Sequence, residues 1–100
     1  MSKVVVLFEF AGMTSKDYDA ICDDLKSRNK LLNENRPAHV AFEKEGKFCV
    51  DDVWNSSEAL QEFVETALKP AFAKLNLNPP APSVLPVYNW LGVAEEVISA

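Results

Sequence analysis

Residues 38–72 read AHVAFEKEGKFCVDDVWNSSEALQEFVETALKPAF, and the architecture is decided there. AHVAFEK and KFCVDDVW are strand-like runs separated by Glu45-Gly46, a two-residue hairpin signal. That turn sets Lys44 against Lys47, and counting back puts His39 opposite Asp52 and Val40 opposite Asp51. One face then carries His39, Ala41, Glu43, Phe48, Val50, Asp52 and Trp54. The other carries Val40, Phe42, Cys49, Asp51 and Val53, and a turn longer by one residue would exchange the two. A helix follows, capped by Asn55 or Ser56, with Glu58 favourably placed near its positive end. Its apolar stripe is Leu60, Phe63, Val64, Ala67 and Leu68, continued by Phe72 and Leu75. Pro70 removes one hydrogen bond and is expected to kink or restart the helix.

Upstream, Lys3 to Phe10 (KVVVLFEF) is a strand with apolar residues on both sides: Val4, Val6, Phe8 and Phe10 on one, Val5 and Leu7 on the other. Such a strand is covered twice, since a half-exposed one would alternate with polar residues. Thr14 can cap the next helix with Asp17 at its third position, while Met13 and Tyr18 suit a hydrophobic staple. Tyr18, Ile21, Cys22 and Leu25 form its stripe, and the helix is expected from about Ser15 to Arg28. NKLLNENR, before Pro37, reads as a surface loop.

Downstream of the second helix, Asn76 to Pro82 is an extended connector. Ser83 to Leu91 is expected as the last strand, at a sheet edge because Pro86 cannot complete a ladder. Residues 1–91 thus form one domain, and 92–100 a short tail compatible with a helix.

The order β-α-β-β-α-β is the ferredoxin-like α+β plan, with two helices on one face of a four-stranded antiparallel sheet. The apolar second face of the sheet is left without a helix. A contiguous apolar face in water is an aggregation hazard. Covering it with the same face of a second copy gives a homodimer closed as an α/β barrel. The tail is the other possible cover, but its large apolar groups are just Val93, Val97 and Ile98.

A chain of 100 residues with 48% hydrophobic and 25% charged residues is an ordinary globular composition. The net charge of −5 and the lack of a basic cluster argue against nucleic acid and against anionic membranes. Glu9 interrupts the N-terminal apolar run, so it does not read as a signal segment, and no stretch is long enough to span a bilayer. The two cysteines, Cys22 and Cys49, have no zinc or disulfide spacing and suit a reducing cytoplasm.

VWNSSEALQEF, a strand ending in Trp followed by a polar cap and Glu-Ala-Leu, resembles the dimeric α/β-barrel superfamily. The resemblance is to its antibiotic-biosynthesis-monooxygenase-like proteins in particular. FAGMTSKDYDAI, HVA, DVW and PVYNWL resemble small bacterial members without an assigned reaction, and the likeness extends from Val4 to Leu91. It implies a dimer with a pocket between helices and sheet in each subunit. Activities in the superfamily include cofactor-free oxygenation of polycyclic aromatics, haem degradation, and lactone or dehydration chemistries. Haem-degrading relatives hold iron through a His on the second helix; here that helix has none.

His39 is the only histidine, so any imidazole base is this residue. Asp52 across the hairpin would orient its ring. The commoner reading of such a pair is structural, satisfying itself in a core or an interface. Glu9 is a lone carboxylate in an apolar strand: a buried one would suit a pocket base, but a strand-end position reaching solvent is simpler. Tyr88 and Trp90 share a face and, with Trp54 and the intervening Asn89, could wall a flat ligand; aromatic clusters at strand ends are more often core. With three glycines there is no phosphate loop, nor is there a nucleophile elbow or metal cluster, so no cofactor is expected.

These readings lead to a small-molecule-binding protein, of cofactor-free monooxygenase type, for a planar or lipophilic organic compound. The alternative is a structural or regulatory homodimer whose pocket is filled by its own side chains.

Overall fold

A computed structural model describes residues 2–91, so the expected tail at 92–100 lies outside the described residues. The elements are β1 (Val4–Phe10), α1 (Ser15–Ser27), β2 (Ala38–Lys44), β3 (Lys47–Trp54), α2 (Ser57–Phe63), a π-helical turn (Val64–Leu68), α3 (Lys69–Lys74) and β4 (Ser83–Pro86). The strands form one sheet in the order β2-β3-β1-β4, every neighbouring pair antiparallel. That is the ferredoxin-like α+β arrangement.

The hairpin has the register that its turn implies. Glu45 and Gly46 both take positive φ, 51° and 78°, as the two-residue turn that matches strand twist requires. Lys44 pairs with Lys47, Val40 with Asp51 and His39 with Asp52. β1 lies on the other side of β3, with Val6 against Asp52 and Phe8 against Val50. Residues of one parity therefore collect on the helix side: Val4, Val6, Phe8 and Phe10 of β1, and Phe48, Val50, Asp52 and Trp54 of β3.

Both helical segments are built by local signals before they pack. Thr14 and Asp17 make a reciprocal capping box, each backbone N–H donating to the other side chain at 3.1 Å. Ser56 caps α2 through the Ala59 N–H at 3.1 Å. Ile21 and Leu25 of α1 and Leu60, Phe63, Ala67, Ala71 and Phe72 of the second helical segment are buried against the sheet. Phe10 stacks between Phe8 and Phe72, with ring centroids 5.7 and 5.8 Å away. Burying each such ring is worth on the order of 1.5–3 kcal/mol. At the far end of α1, Asp24 accepts from Lys74 at 2.7 Å and from Arg28 at 2.8 Å. These bonds, Lys74 first, hold its carboxyl below the usual carboxylate range.

Two expectations change in detail. The helix restarts at Pro70, as α3, and the restart is made through a π turn. The helix widens to a π turn just before it, where the Lys69 N–H reaches back to the Val64 carbonyl. An i−5 bond makes room where the proline ring would crowd the preceding turn, and Pro70 then sits in the first turn of α3, where its missing N–H matters least. Arg28 Nη2 donates to the Ala67 carbonyl of this turn at 3.0 Å, tying α1 to it. The last strand spans Ser83–Pro86, shorter than the expected run to Leu91. After Pro86, which has no N–H, one further bond joins the Val87 N–H to the Lys3 carbonyl at 3.1 Å.

The opposite face of the sheet carries Val5 and Leu7, Val40 and Phe42, Val53 and Leu85, with no described helix over it. Val40 is 54% and Leu85 49% exposed there. Among the described residues no helix is long and apolar enough to cross a membrane.

Candidate functional site

Between the sheet and the helices lies a cavity of about 330 Å³. Phe8, Phe10 and Val50 form its floor; Ile21 and Leu25 of α1, together with Phe63, Leu68 and Phe72, form apolar walls. The loop between α1 and β2 roofs it with Leu31, Leu32 and Arg36. Backbone bonds hold that loop in place: Lys30 N–H to the Leu25 carbonyl at 2.7 Å, and Asn55 N–H to the Asn35 carbonyl at 2.8 Å.

Polar groups gather at one end. Asp52, 4% exposed, accepts from His39 Nδ1 at 2.6 Å and from the Trp54 indole N–H at 3.2 Å, one bond to each carboxylate oxygen. A carboxylate can only accept, so Nδ1 carries a proton. His39 Nε2 is left to face Tyr18, whose hydroxyl lies 2.6 Å away; with neutral imidazole the phenol donates. The Tyr18 and His39 rings lie nearly parallel, 10° apart, with centroids separated by 6.0 Å. The His39 side chain keeps 29% exposure, so the chain Asp52–His39–Tyr18 runs from the core to the cavity.

Tyr18 and Cys22 stand one helical turn apart on α1, and both line the cavity. Burial first, then a hydrogen bond with the Cys22 thiol and the negative charge of Asp52, pushes the Tyr18 phenol above its ordinary value. Burial likewise raises the Cys22 thiol, partly offset by the bond from Tyr18, so neither is an ionised nucleophile at neutral pH. Arg36 closes this end. Its guanidinium lies over the Trp54 and Phe63 rings, 5.7 and 5.2 Å from their centroids, and Nη2 donates to the Leu31 carbonyl at 2.6 Å.

Of the residues singled out in the sequence, His39 and Asp52 come together at the cavity. The others lie elsewhere. Glu9 has the odd parity of β1, which turns it to the helix-free side, where Lys47 Nζ approaches it at 3.4 Å in solvent. Trp54 is fully buried and acts behind the cavity, through Asp52. Tyr88, Asn89 and Trp90 follow the end of β4 and do not line the cavity, and Tyr88 projects wholly into solvent. The aromatic wall expected from Trp54, Tyr88 and Trp90 is therefore not assembled around this space.

Tyr18 and Arg36 were not among the sequence candidates. Tyr18 was legible as a helix-stripe residue, whereas its hydroxyl contact depends on α1 lying over β2. Leu31-Leu32 in an otherwise polar loop was the available hint that this loop covers something apolar. Among the described residues no group of three or more His, Cys, Asp or Glu side chains could hold a metal ion.

The ferredoxin-like fold is shared with known structures, one of them described as an antibiotic biosynthesis monooxygenase. A candidate antibiotic biosynthesis monooxygenase from Chloroflexus aurantiacus J-10-fl superposes with a TM-score of 0.62 at 13% identity, covering 93% of this chain and 100% of its own. Rv0793 from Mycobacterium tuberculosis gives 0.61 at 15% identity, with the same coverage of 93% and 100%. A conserved protein from Methanosarcina mazei Go1 gives 0.57 at 12% identity, covering 90% and 95%. No family model matches the sequence. No curated protein sequence matches it either.

Proposed function

We propose that this protein binds a planar or lipophilic organic compound in the cavity and removes a proton from it, with His39 as the base. The observation that carries this reading is the 2.6 Å bond from His39 Nδ1 to the buried Asp52. It leaves Nε2, through the Tyr18 hydroxyl, as the only imidazole nitrogen directed to the apolar space. In this scheme the ligand proton passes to the Tyr18 oxygen as the phenolic proton passes to Nε2. Asp52 stabilises the resulting imidazolium and is not itself protonated.

The fold shared with the Chloroflexus protein supports a monooxygenase-like continuation without a cofactor. The ligand carbanion, stabilised as an enolate, gives its electrons to dioxygen. One oxygen atom ends on carbon as a carbonyl, replacing the CH₂ hydrogens, and the other leaves as water. The helix-free face, with exposed Val40, Phe42 and Leu85, supports a homodimer closed through the two sheets. Two free thiols suit the cytoplasm.

A structural or regulatory dimer would have this space filled by its own side chains, and the open cavity of about 330 Å³ disfavours that. The test is a thermal-shift screen of anthrones and polycyclic phenols, followed by oxygen uptake on any hit. Wild type is expected to turn over a bound compound, and His39→Ala to retain binding while losing roughly 10²–10⁴-fold in kcat. Unchanged turnover in His39→Ala would remove the base assignment. Absence of any ligand-induced shift would remove the pocket reading itself.

A further inference from the structure

Arg36 is a cation at the rim of an apolar cavity, yet no described carboxylate stands within ion-pair distance of it. The guanidinium's one hydrogen bond among the described residues is to a neutral partner, the Leu31 carbonyl. The nearest acid in the cavity wall, Asp52, already accepts on one oxygen from His39 and on the other from Trp54. A guanidinium offers five N–H donors in a planar fork. The Arg36 Cζ lies 5.7 and 5.2 Å from the Trp54 and Phe63 ring centroids, and the single bond from Nη2 to Leu31 leaves the other donors of the fork without a described partner.

The position of the charge is informative as well. Against the burial that raises them, the Arg36 charge draws both the Tyr18 phenol and the Cys22 thiol back down. Arg36 therefore stands at the same end of the cavity as the Asp52–His39–Tyr18 chain, while the opposite walls are apolar. Such a container has one cationic point and a greasy body.

We infer that the cavity selects a lipophilic monocarboxylate, its carboxylate held on the open edge of the Arg36 guanidinium and its apolar body among Phe8, Phe10, Ile21, Leu25 and Phe72. This rests on the pocket reading above and narrows its ligand class. A carboxylate matches the fork in two parallel N–H···O bonds, and charge-assisted bonds in a space poor in water are stronger than neutral ones. At about 330 Å³ the cavity is near the small end of roughly 300–1,000 Å³ for ligand sites, which suits a two-ring body better than a four-ring one.

The experiment compares 2-naphthoate with 2-naphthamide, one ring system with a charged and an uncharged head, by calorimetric titration at pH 7. Wild type is expected to bind the anion about tenfold or more tightly than the amide, the effect of a charged hydrogen-bond partner. Arg36→Gln should bring the two within about twofold, and Arg36→Lys should preserve part of the preference. Equal binding of both probes to wild type would overturn the inference and leave the pocket intact, as would a preference that survives in Arg36→Gln. Binding of neither would overturn both. If Arg36→Gln fails to fold, because Arg36 also braces Leu31 and two rings, the wild-type ratio still decides. In that event Arg36→Lys keeping the whole of the wild-type preference, which a single ammonium in place of the fork should weaken, would overturn the assignment to Arg36.

Discussion

The Tyr18 hydroxyl is wedged between the His39 imidazole and the Cys22 thiol, and each neighbour bears on its proton. Its phenol is raised above the ordinary 10.0, first by burial and then by Cys22. The sign of the consequence follows by linkage. Above about pH 10 the unfolded chain loses this proton while the folded chain keeps it, so the native state holds more protons and stability falls as pH rises. Tyr18→Phe removes that dependence and also the bond to His39, worth about 1 kcal/mol for a half-exposed group. The variant should be the less stable one at pH 7, with the gap narrowing at pH 10 and above, read by urea denaturation at both pH values. A gap that stays constant with pH would show that the phenol is not raised. The residue-level signals in the sequence were uneven for a physical reason. His39 and Asp52 were readable as a pair because a two-residue turn fixes the register across one hairpin. Tyr18 and Arg36 reach the site through the packing of α1 and of a loop onto the sheet, which no local spacing encodes.

Among the elements, those specified by neighbouring residues were legible and those specified by accommodation were not. Thr14 and Asp17 satisfy each other within one turn, so the start of α1 is written in four residues. The π turn at Val64–Leu68 is instead a compromise between Pro70 and the buried stripe, which must keep Ala67, Ala71 and Phe72 on the sheet. Either a kink or a widened turn relieves the proline, and tertiary packing selects the second. β4 ends at Pro86, which has no N–H to carry the ladder on, so the apolar residues beyond it are not strand although their composition suits one. The hairpin turn offers a direct test of local strain. Glu45 sits at φ 51°, a left-handed conformation that costs an ordinary L residue roughly 1–2 kcal/mol and Asn considerably less. Glu45→Asn is expected to stabilise the protein by up to about 1 kcal/mol, seen as a higher urea midpoint at unchanged m. A lower midpoint would mean that the Glu45 side chain contributes something which the turn geometry does not reveal.

At the scale of the whole molecule, the sheet has one side occupied by helices and one that is still apolar. Val5, Leu7, Val40, Phe42, Val53 and Leu85 share the side over which no described helix lies, and the described helices are all committed to the other. Phe42 is the largest of these groups, on edge strand β2, with its neighbour in the ladder the buried Cys49. If two copies meet face to face, an aspartate at position 42 would have to be buried opposite its own symmetry mate or leave the interface apart. A desolvated carboxylate is penalised by several kcal/mol. On the helix side nothing changes, because residues of that parity do not contact the cavity. Phe42→Asp should therefore shift sedimentation from dimer to monomer at micromolar concentration, raising the dissociation constant by about tenfold or more for each roughly 1.4 kcal/mol lost. The same variant should still bind any cavity ligand found for wild type. A wild-type protein that sediments as a monomer at micromolar concentration would end the barrel proposal without touching the Asp52–His39–Tyr18 chain, since every residue of that chain comes from one copy.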